Sequence, residues 1–179
     1  MVTVYRPYFE PGYDWAMPVG DMQSVLDLKS RRRGDLWEPL WMYMITTDAE
    51  GRPRRRADMP WHGSNTMVLK EKARQVLEPV LGEDAELLQA YDAEGEDLWL
   101  VHAWKVVDAL DEEGSEVQRF KSGKVMEVRR WSLRAGAVGE LKCFRVPQQP
   151  QMMLVTDKVV EAVNAAGLRG TTFRPVWRS

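Results

Sequence analysis

The sequence is poor in the residues that most often carry catalysis or bind metals. It has one cysteine, Cys143, and two histidines, His62 and His102, among its 179 residues. A single cysteine excludes an intramolecular disulfide, and a zinc site would need at least one carboxylate ligand. No Gly-rich phosphate loop and no G-x-S-x-G turn is present. We therefore predict no catalytic residue, no metal site and no cofactor.

Long hydrophobic segments are also absent from the sequence. It has no run of 18 apolar residues, so no membrane span is expected. The first residues lack a basic start followed by an apolar stretch, so no secretion signal is expected. Together with the lone cysteine, these features favour a cytoplasmic protein.

The composition is that of a folded globular chain, with 44% hydrophobic and 29% charged residues. Its length suits one domain with a sizeable core. Eight Trp and ten Met are many for this length. Such side chains bury a large area each and also favour partner surfaces.

Charge is distributed unevenly along the chain. Residues 67–118 carry fourteen acidic and four basic side chains, a net charge of −10, whereas residues 119–179 carry four acidic and twelve basic ones, a net charge of +8. The middle segment could present a negative field to a basic partner. Alternatively, the two segments pack together and neutralise one another.

Two amphipathic helices are predicted from the spacing of apolar residues. The first covers residues 66–81, with Leu69 on its apolar face, Pro79 ending or kinking it and Gly82 closing it. The second follows Thr156, a favourable N-cap, and ends at Gly167. The two segments match at an offset of 86 residues, which indicates either a duplicated strand–helix–strand unit or one common amphipathic pattern that occurs twice.

Several strands are predicted around these helices. Pro7 places the first strand at a sheet edge, and large residues on both faces place the segment 97–107 at a sheet centre. The predicted strands are Val2–Phe9, Leu40–Thr47, Asp97–Val107, Gly123–Leu133, Glu140–Val146 and Thr171–Val176. The expected fold is α+β, with a mixed or antiparallel sheet and two main helices. We expect an N-terminal strand and loop region, 1–57, packed on a main domain, 58–179, as one compact unit.

The segment Trp104–Val117 turns from a strand into a cluster of carboxylates. Its "DALDEE" run lacks the alternating ligand spacing of a calcium loop. The remaining interpretations are a solvated turn capped by Asp108 or Asp111, or an acidic surface that faces a partner.

The histidines and arginines offer weaker signals. His102 lies within an apolar strand and is read as a core histidine, and Cys143 as a small buried hydrophobe. Asp58, Trp61 and His62 share a polar loop that could bind a small ligand or transfer a proton. The runs "SRRRG" (30–34) and "RPRRR" (52–56) resemble solvated loops, and a pI near 5.8 disfavours nucleic-acid binding.

Four segments together resemble one family. They are the loop Ala57–Trp61 with the segment Leu69–Gly82, the strand and turn Leu100–Ser115, the run Leu141–Pro147 and the closing segment Leu154–Trp177. Their order is similar to that of immunity protein family eleven of bacterial polymorphic toxin and type VI secretion systems, the myxobacterial-type immunity domain. The sequence departs from that pattern at Leu69–Lys70, where a helix-capping Ser is usual.

The resemblance implies an α+β fold without enzymatic activity, and a cytoplasmic antitoxin that binds a cognate toxin, often a nuclease encoded next to it, as a 1:1 complex. Because a nuclease holds phosphates with Lys and Arg, acidic residues are the expected contacts, with two tryptophans as anchors. The candidates are Asp108, Asp111, Glu112, Glu113, Glu83, Asp84, Glu94, Glu96, Asp97, Trp61 and Trp99. Asp108 and Asp111 have an equally plausible structural role.

Overall fold

The computed structural model describes residues 1–20, 25, 28 and 30–179. Its strands are β1 Thr3–Phe9, β2 Trp15–Pro18, β3 Leu40–Ile45, β4 Val68–Leu69, β5 Ala85–Asp92, β6 Asp97–Ala103, β7 Glu116–Arg119, β8 Val125–Arg130, β9 Cys143–Phe144, β10 Leu154–Thr156 and β11 Thr171–Arg178. Its helices are α1 Glu71–Leu81, α2 Ala135–Val138 and α3 Asp157–Ala165, with short 3-10 turns at Gly34–Leu36 and Gly82–Asp84.

The strands form two main sheets and one hairpin. The five-stranded sheet has the order β2-β3-β5-β6-β4, the four-stranded sheet has the order β11-β1-β10-β9, and β7 pairs with β8. The β3–β5 pair is parallel and the other strand pairs are antiparallel. These mixed sheets with two main helices confirm the predicted α+β fold.

The two longer helices lie in matching strand–helix–strand units. The unit β4–α1–β5 recurs as β10–α3–β11, and Ala85 and Thr171, which start the last strand of each unit, are 86 positions apart. In each unit the two strands flank one antiparallel strand, which is β6 in the first and β1 in the second. The shared topology favours the duplicated unit over a coincidence of pattern.

The helices α1 and α3 pack against each other and share a core with both sheets. Leu77 of α1 and Val159 of α3 are fully buried there, together with Val101 of β6 and Val155 of β10. A second cluster covers the other face of the four-stranded sheet, and a third covers the other face of the five-stranded sheet. Both sheets are thus fixed to the helix pair.

The start of α1 differs from the prediction. The helix begins at Glu71, because Val68 and Leu69 form β4 and pair with Leu100 and Trp99 of β6. Both β4 residues are fully buried, which accounts for their apolar side chains. In the sequence these side chains continue the apolar spacing of the helix, although their backbone is that of a strand. The helix end is as predicted: Pro79 lies in the last turn, and Gly82, with φ of 52°, follows it.

The predicted position of β1 at a sheet edge is wrong. This strand lies between β11 and β10. Proline is tolerated because β10 pairs only with Val4 and Tyr5, so Pro7 has a neighbouring strand, β11, on one side alone. The predicted central strand does lie between β5 and β4, and it ends at Ala103.

The N-terminus of α3 is at the predicted residue, but Thr156 does not cap it with its side chain. Its Oγ1 donates instead to the Leu141 carbonyl at 2.9 Å. Asp157 accepts the hydrogen bonds at the start of the helix: its Oδ1 accepts the Lys158 backbone N–H and its Oδ2 accepts that of Thr3. The same residues therefore join α3 to β1 and to the segment before β9.

Candidate protein-interaction surfaces

The acidic turn, residues 108–113, follows β6 and is held partly by bonds within the chain. The Asp111 carboxylate accepts a hydrogen bond from Ser132 Oγ at 3.1 Å, and its backbone N–H donates to the Ser132 carbonyl at 2.9 Å. Asp108 pairs with Arg134 at 2.8 Å, with its own side chain 73% exposed. Asp111 thus stabilises the turn, whereas the Asp108 pair contributes little to stability.

Glu112 and Glu113 are two further exposed carboxylates of the acidic turn. Glu112 forms an ion pair with Arg119 and accepts a hydrogen bond from Gln148 Nε2 at 3.0 Å. Glu113 is exposed, and no described residue forms an ion pair with it. Surface pairs of this kind exchange readily for a partner's cation, so both residues are open to contact.

The preceding carboxylates, Glu83 and Asp84, differ in exposure. Asp84 is buried, its Oδ1 pairs with Lys105 Nζ at 2.5 Å, and its Oδ2 accepts the Lys142 backbone N–H at 2.7 Å. Glu83 is exposed, and its backbone carbonyl accepts the Trp104 Nε1–H at 3.2 Å. Asp84 therefore ties β5 to the segments after β6 and before β9, and has little surface left for a partner.

The hairpin turn, residues 92–97, joins β5 to β6. The buried Asp92 accepts the backbone N–H groups of Glu94 and Glu96 on its Oδ1, at 2.9 and 2.8 Å, and so fixes the turn. Glu96 pairs with Arg56 at 2.5 Å and with the buried Lys70 at 3.4 Å. Glu94 is exposed.

The structure does not bring the acidic candidates into one patch. Asp97 pairs with Tyr91 at one end of the β5–β6 ladder, and Ala103 pairs with Ala85 at the other. Seven residues of strand separate the two ends by about 20 Å. One group lies at the start of β6 and the other at its end. The first group is Glu94, Glu96 and Asp97, and the second is Glu83, Asp84, Asp108, Asp111, Glu112 and Glu113.

The two tryptophans predicted as anchors are partly buried against their own chain. The Trp61 ring lies 6.1 Å from the Tyr8 ring and 6.4 Å from the Phe9 ring. Trp99, on β6, lies beneath the Arg74 guanidinium at 4.9 Å and packs on the helical core. Neither ring neighbours the acidic turn in the contacts described.

Asp58 and His62 have different partners. The Asp58 carboxylate pairs with Lys72 at 3.2 Å and accepts the Arg169 backbone N–H at 3.1 Å. The His62 Nδ1 is 3.0 Å from the Ala16 carbonyl and must donate to it, which leaves Nε2 buried without a partner. These contacts do not form the Asp–His pair that proton transfer would use.

Both histidines are buried, so stability should fall in mild acid. Burial lowers the pKa of His62 and of His102, the second of which bonds through Nε2 to the Arg31 carbonyl at 2.7 Å. The unfolded chain therefore binds more protons just below pH 6.5, and the free energy of unfolding decreases there by up to about 1.4 kcal/mol per pH unit for each histidine. Urea titrations between pH 7 and pH 5.5 measure this slope.

A His62→Gln variant is the control for that slope. We expect the free energy of unfolding to depend less steeply on pH in the variant than in the wild type, because one titrating group is removed. An unchanged slope would contradict the assignment of the acid sensitivity to His62.

Several side chains of the second arginine run are engaged within the chain. The Arg54 guanidinium stacks over Trp15 at 4.8 Å and that of Arg55 over Tyr13 at 4.1 Å. Arg56 pairs with Glu96. Cys143 is fully buried as predicted, and burial raises the pKa of its thiol to about 12, so the thiolate is not available at neutral pH.

Two features were missed by sequence reasoning. Arg145 is fully buried and donates to backbone carbonyls, although "CFRV" reads as an ordinary strand. Trp41 and Tyr43 alternate along β3 and are 54% and 46% exposed. The alternation of two aromatic residues with two methionines, Met42 and Met44, is the signal that could have indicated an exposed aromatic face.

Two further observations bear on function. Among the described residues, no group of three His, Cys, Asp or Glu side chains could hold a metal ion. In the same part of the chain, no helix has the length and apolar character needed to cross a bilayer.

The described residues form an α+β fold with exposed carboxylates in its acidic turn and exposed aromatic side chains on β3. A model of the Immunity protein family (Imm11) matches residues 42–178, and the chain belongs to that family. A search of the curated proteins gave no match. Family membership gives this protein an immunity role that involves a toxin partner, in a family that is generally non-enzymatic.

Proposed function

We propose that this protein binds and neutralises one cognate toxin, a nuclease encoded by the adjacent gene of a polymorphic toxin or type VI secretion system. It forms a 1:1 complex in the cytoplasm and acts by occlusion of the toxin's active site. The observation that carries the proposal is the family match over residues 42–178.

The charge of the chain supports a nuclease as the target. A nuclease carries Lys and Arg to hold phosphates, and an acidic surface competes for them and accelerates encounter. Glu112, Glu113 and Glu83 offer exposed carboxylates at one end of β6, and Glu94 and Asp97 do so at the other. Asp108 is exposed as well and adds to this field, whereas Asp84 and Asp111 stabilise the fold.

The test is co-expression and co-purification with the product of the adjacent gene, together with a growth assay. We expect a stoichiometric complex and rescue of growth. A nuclease target further predicts that the isolated partner degrades DNA or RNA and that the complex does not. Failure of both complex formation and rescue contradicts the proposal.

Charge reversal of the acidic turn should weaken toxin binding without unfolding the protein. We expect the Glu112→Lys, Glu113→Lys double variant to lower the association rate about tenfold at low salt, and less at high salt, because steering by exposed charges is screened. Both side chains are exposed, so stability should change by less than about 0.5 kcal/mol.

The control is the Glu140→Lys, Glu161→Lys double variant, which changes the net charge equally near α3. Stopped-flow association of both variants with the toxin measures the effect. Equal rates for the two would show that the acidic turn has no particular part in attracting the toxin.

A further inference from the structure

Part of one face of the five-stranded sheet lies beyond the cover of the helices. On this face Leu87, Trp99 and Val101 pack in the helical core beneath α1, which contacts β4 and β6. Trp41 of β3 pairs in register with Tyr91 of β5, four residues from Leu87, and so lies on the same face. The aromatic residues of β3 are left at the surface.

Exposed apolar side chains gather here. The open sheet face consists of Val19, Trp41, Tyr43 and Tyr91. Val19 is 59% exposed and its backbone N–H donates to the Trp41 carbonyl at 2.7 Å, while the Trp41 and Tyr91 rings are 5.5 Å apart. Clustered apolar residues on a surface mark interaction sites, and Trp and Tyr dominate the energetic centre of protein interfaces.

A cavity lined by both acidic and basic side chains borders the open sheet face. The β3–β5 pairing ends at Met42 and Asp92, and Tyr43 and Glu94 line a cavity of about 440 Å³ beyond that point. Its charged lining consists of three carboxylates and three cations, Asp14, Asp92, Glu94, Arg54, Arg56 and Lys70, so the cavity itself has no excess of acidic side chains.

Two carboxylates at this end of β5 and β6, Glu94 and Asp97, are available for basic side chains of a partner. Of the cations that line the cavity, Arg56 and Lys70 pair with Glu96, and Arg54 stacks over Trp15. Glu94 and Asp97 have no ion pair with any described residue, and Asp97 accepts only a hydrogen bond from Gln89 Nε2, at 3.1 Å.

We propose that the open sheet face is the docking centre for the toxin, with its aromatic side chains buried at the middle of the interface and Glu94 and Asp97 pairing with basic side chains of the toxin at its rim. The assignment rests on the proposed immunity function and specifies its partner surface. Burial of Trp41 supplies the affinity, since an aromatic centre with a charged rim is the usual arrangement of such interfaces. The acidic turn lies at the far end of β6 and acts through long-range attraction.

The test compares Trp41→Ala with Phe120→Ala. Phe120 is 52% exposed, close to the 54% of Trp41, but lies on the β7–β8 hairpin outside the open sheet face. With the purified toxin, Trp41→Ala should raise Kd about 30-fold or more, whereas Phe120→Ala should change it less than about twofold. Tyr43→Ala gives a second truncation of the same face. Glu94→Lys with Asp97→Lys should slow association and reduce its salt dependence.

The outcomes distinguish failure of the proposed docking centre from failure of the proposed immunity function. Wild-type binding with unchanged Kd for folded Trp41→Ala and Tyr43→Ala overturns the docking centre and leaves the immunity function intact. Absence of wild-type binding and of growth rescue overturns both. A wild-type dimer that Trp41→Ala converts to monomers, with toxin affinity unchanged, assigns the face to a second copy of the chain and also overturns the proposal.

Discussion

Replacing Gly170 by alanine is expected to lower the free energy of unfolding by about 2–5 kcal/mol. Gly170 has φ of +110°, and an added Cβ would lie 2.3 Å from the Ala57 Cβ and 2.5 Å from the Met59 carbonyl oxygen. That oxygen also accepts the Thr171 Oγ1 hydrogen, and the Met59 N–H donates to Arg169, so the segment cannot retreat without losing hydrogen bonds. Urea denaturation measures the loss.

The control for this prediction is Gly167→Ala. Gly167 also has a positive φ, of 60°, but an added Cβ meets nothing within 4 Å. Left-handed backbone strain alone costs about 1–2 kcal/mol. Equal losses for the two variants would show that the close approach to Met59 is not responsible.

Replacing Arg145 by methionine is expected to destabilise the fold by about 3 kcal/mol. The guanidinium is fully buried and donates to the carbonyls of Ala103, at 2.8 Å, Pro150, at 3.2 Å, and Asn65. Carbonyls left without donors cost about 1–3 kcal/mol each. Burial also lowers the pKa of Arg145 from 12.5 to about 10, so holding the charge inside the protein costs about 3 kcal/mol of stability. The methionine variant does not have this cost. The loss of hydrogen bonds to three carbonyls is larger than the stability gained by removing the buried charge.

Two further variants serve as controls for the Arg145 prediction. Arg145→Lys keeps the charge but cannot reach three carbonyls with one ammonium group, so it should be unstable as well. Arg130→Met, on exposed β8, should change stability by less than about 0.5 kcal/mol. Stability of Arg145→Met equal to the wild type would mean that burial of the charge costs as much as its hydrogen bonds contribute.

The repeating elements could be predicted because their pattern is local. Val159 and Val163 recur at helical spacing, and Gly167 follows, so α3 is identified within a few residues. The start of α1 could not be predicted, since Val68 and Leu69 continue the apolar spacing and only their pairing with β6 makes them extended. The prediction that β1 lies at a sheet edge rested on Pro7 and was wrong. The sequence of β1 does not show that its neighbour β10 is too short to pair with Pro7.

The site residues depend on contacts that no local pattern reveals. Arg145 joins segments that are 42 and 80 positions away, at Ala103 and Asn65. The acidic residues are close in sequence, but β6 separates them in space. The division between 1–57 and 58–179 stays a prediction: β1 belongs to the first segment and fills the sheet between β10 and β11 of the second.

The position of β1 has a consequence for when the protein can act. Val2 and Ser179 exchange hydrogen bonds across 177 positions of chain, so the four-stranded sheet joins the first strand to the last. A ribosome needs on the order of ten seconds or more to synthesise the intervening residues, during which β1 has no partner. Loop closure over that distance also slows the final step of folding. We therefore expect protection to lag behind translation, and a cell facing the toxin to depend on inhibitor made in advance.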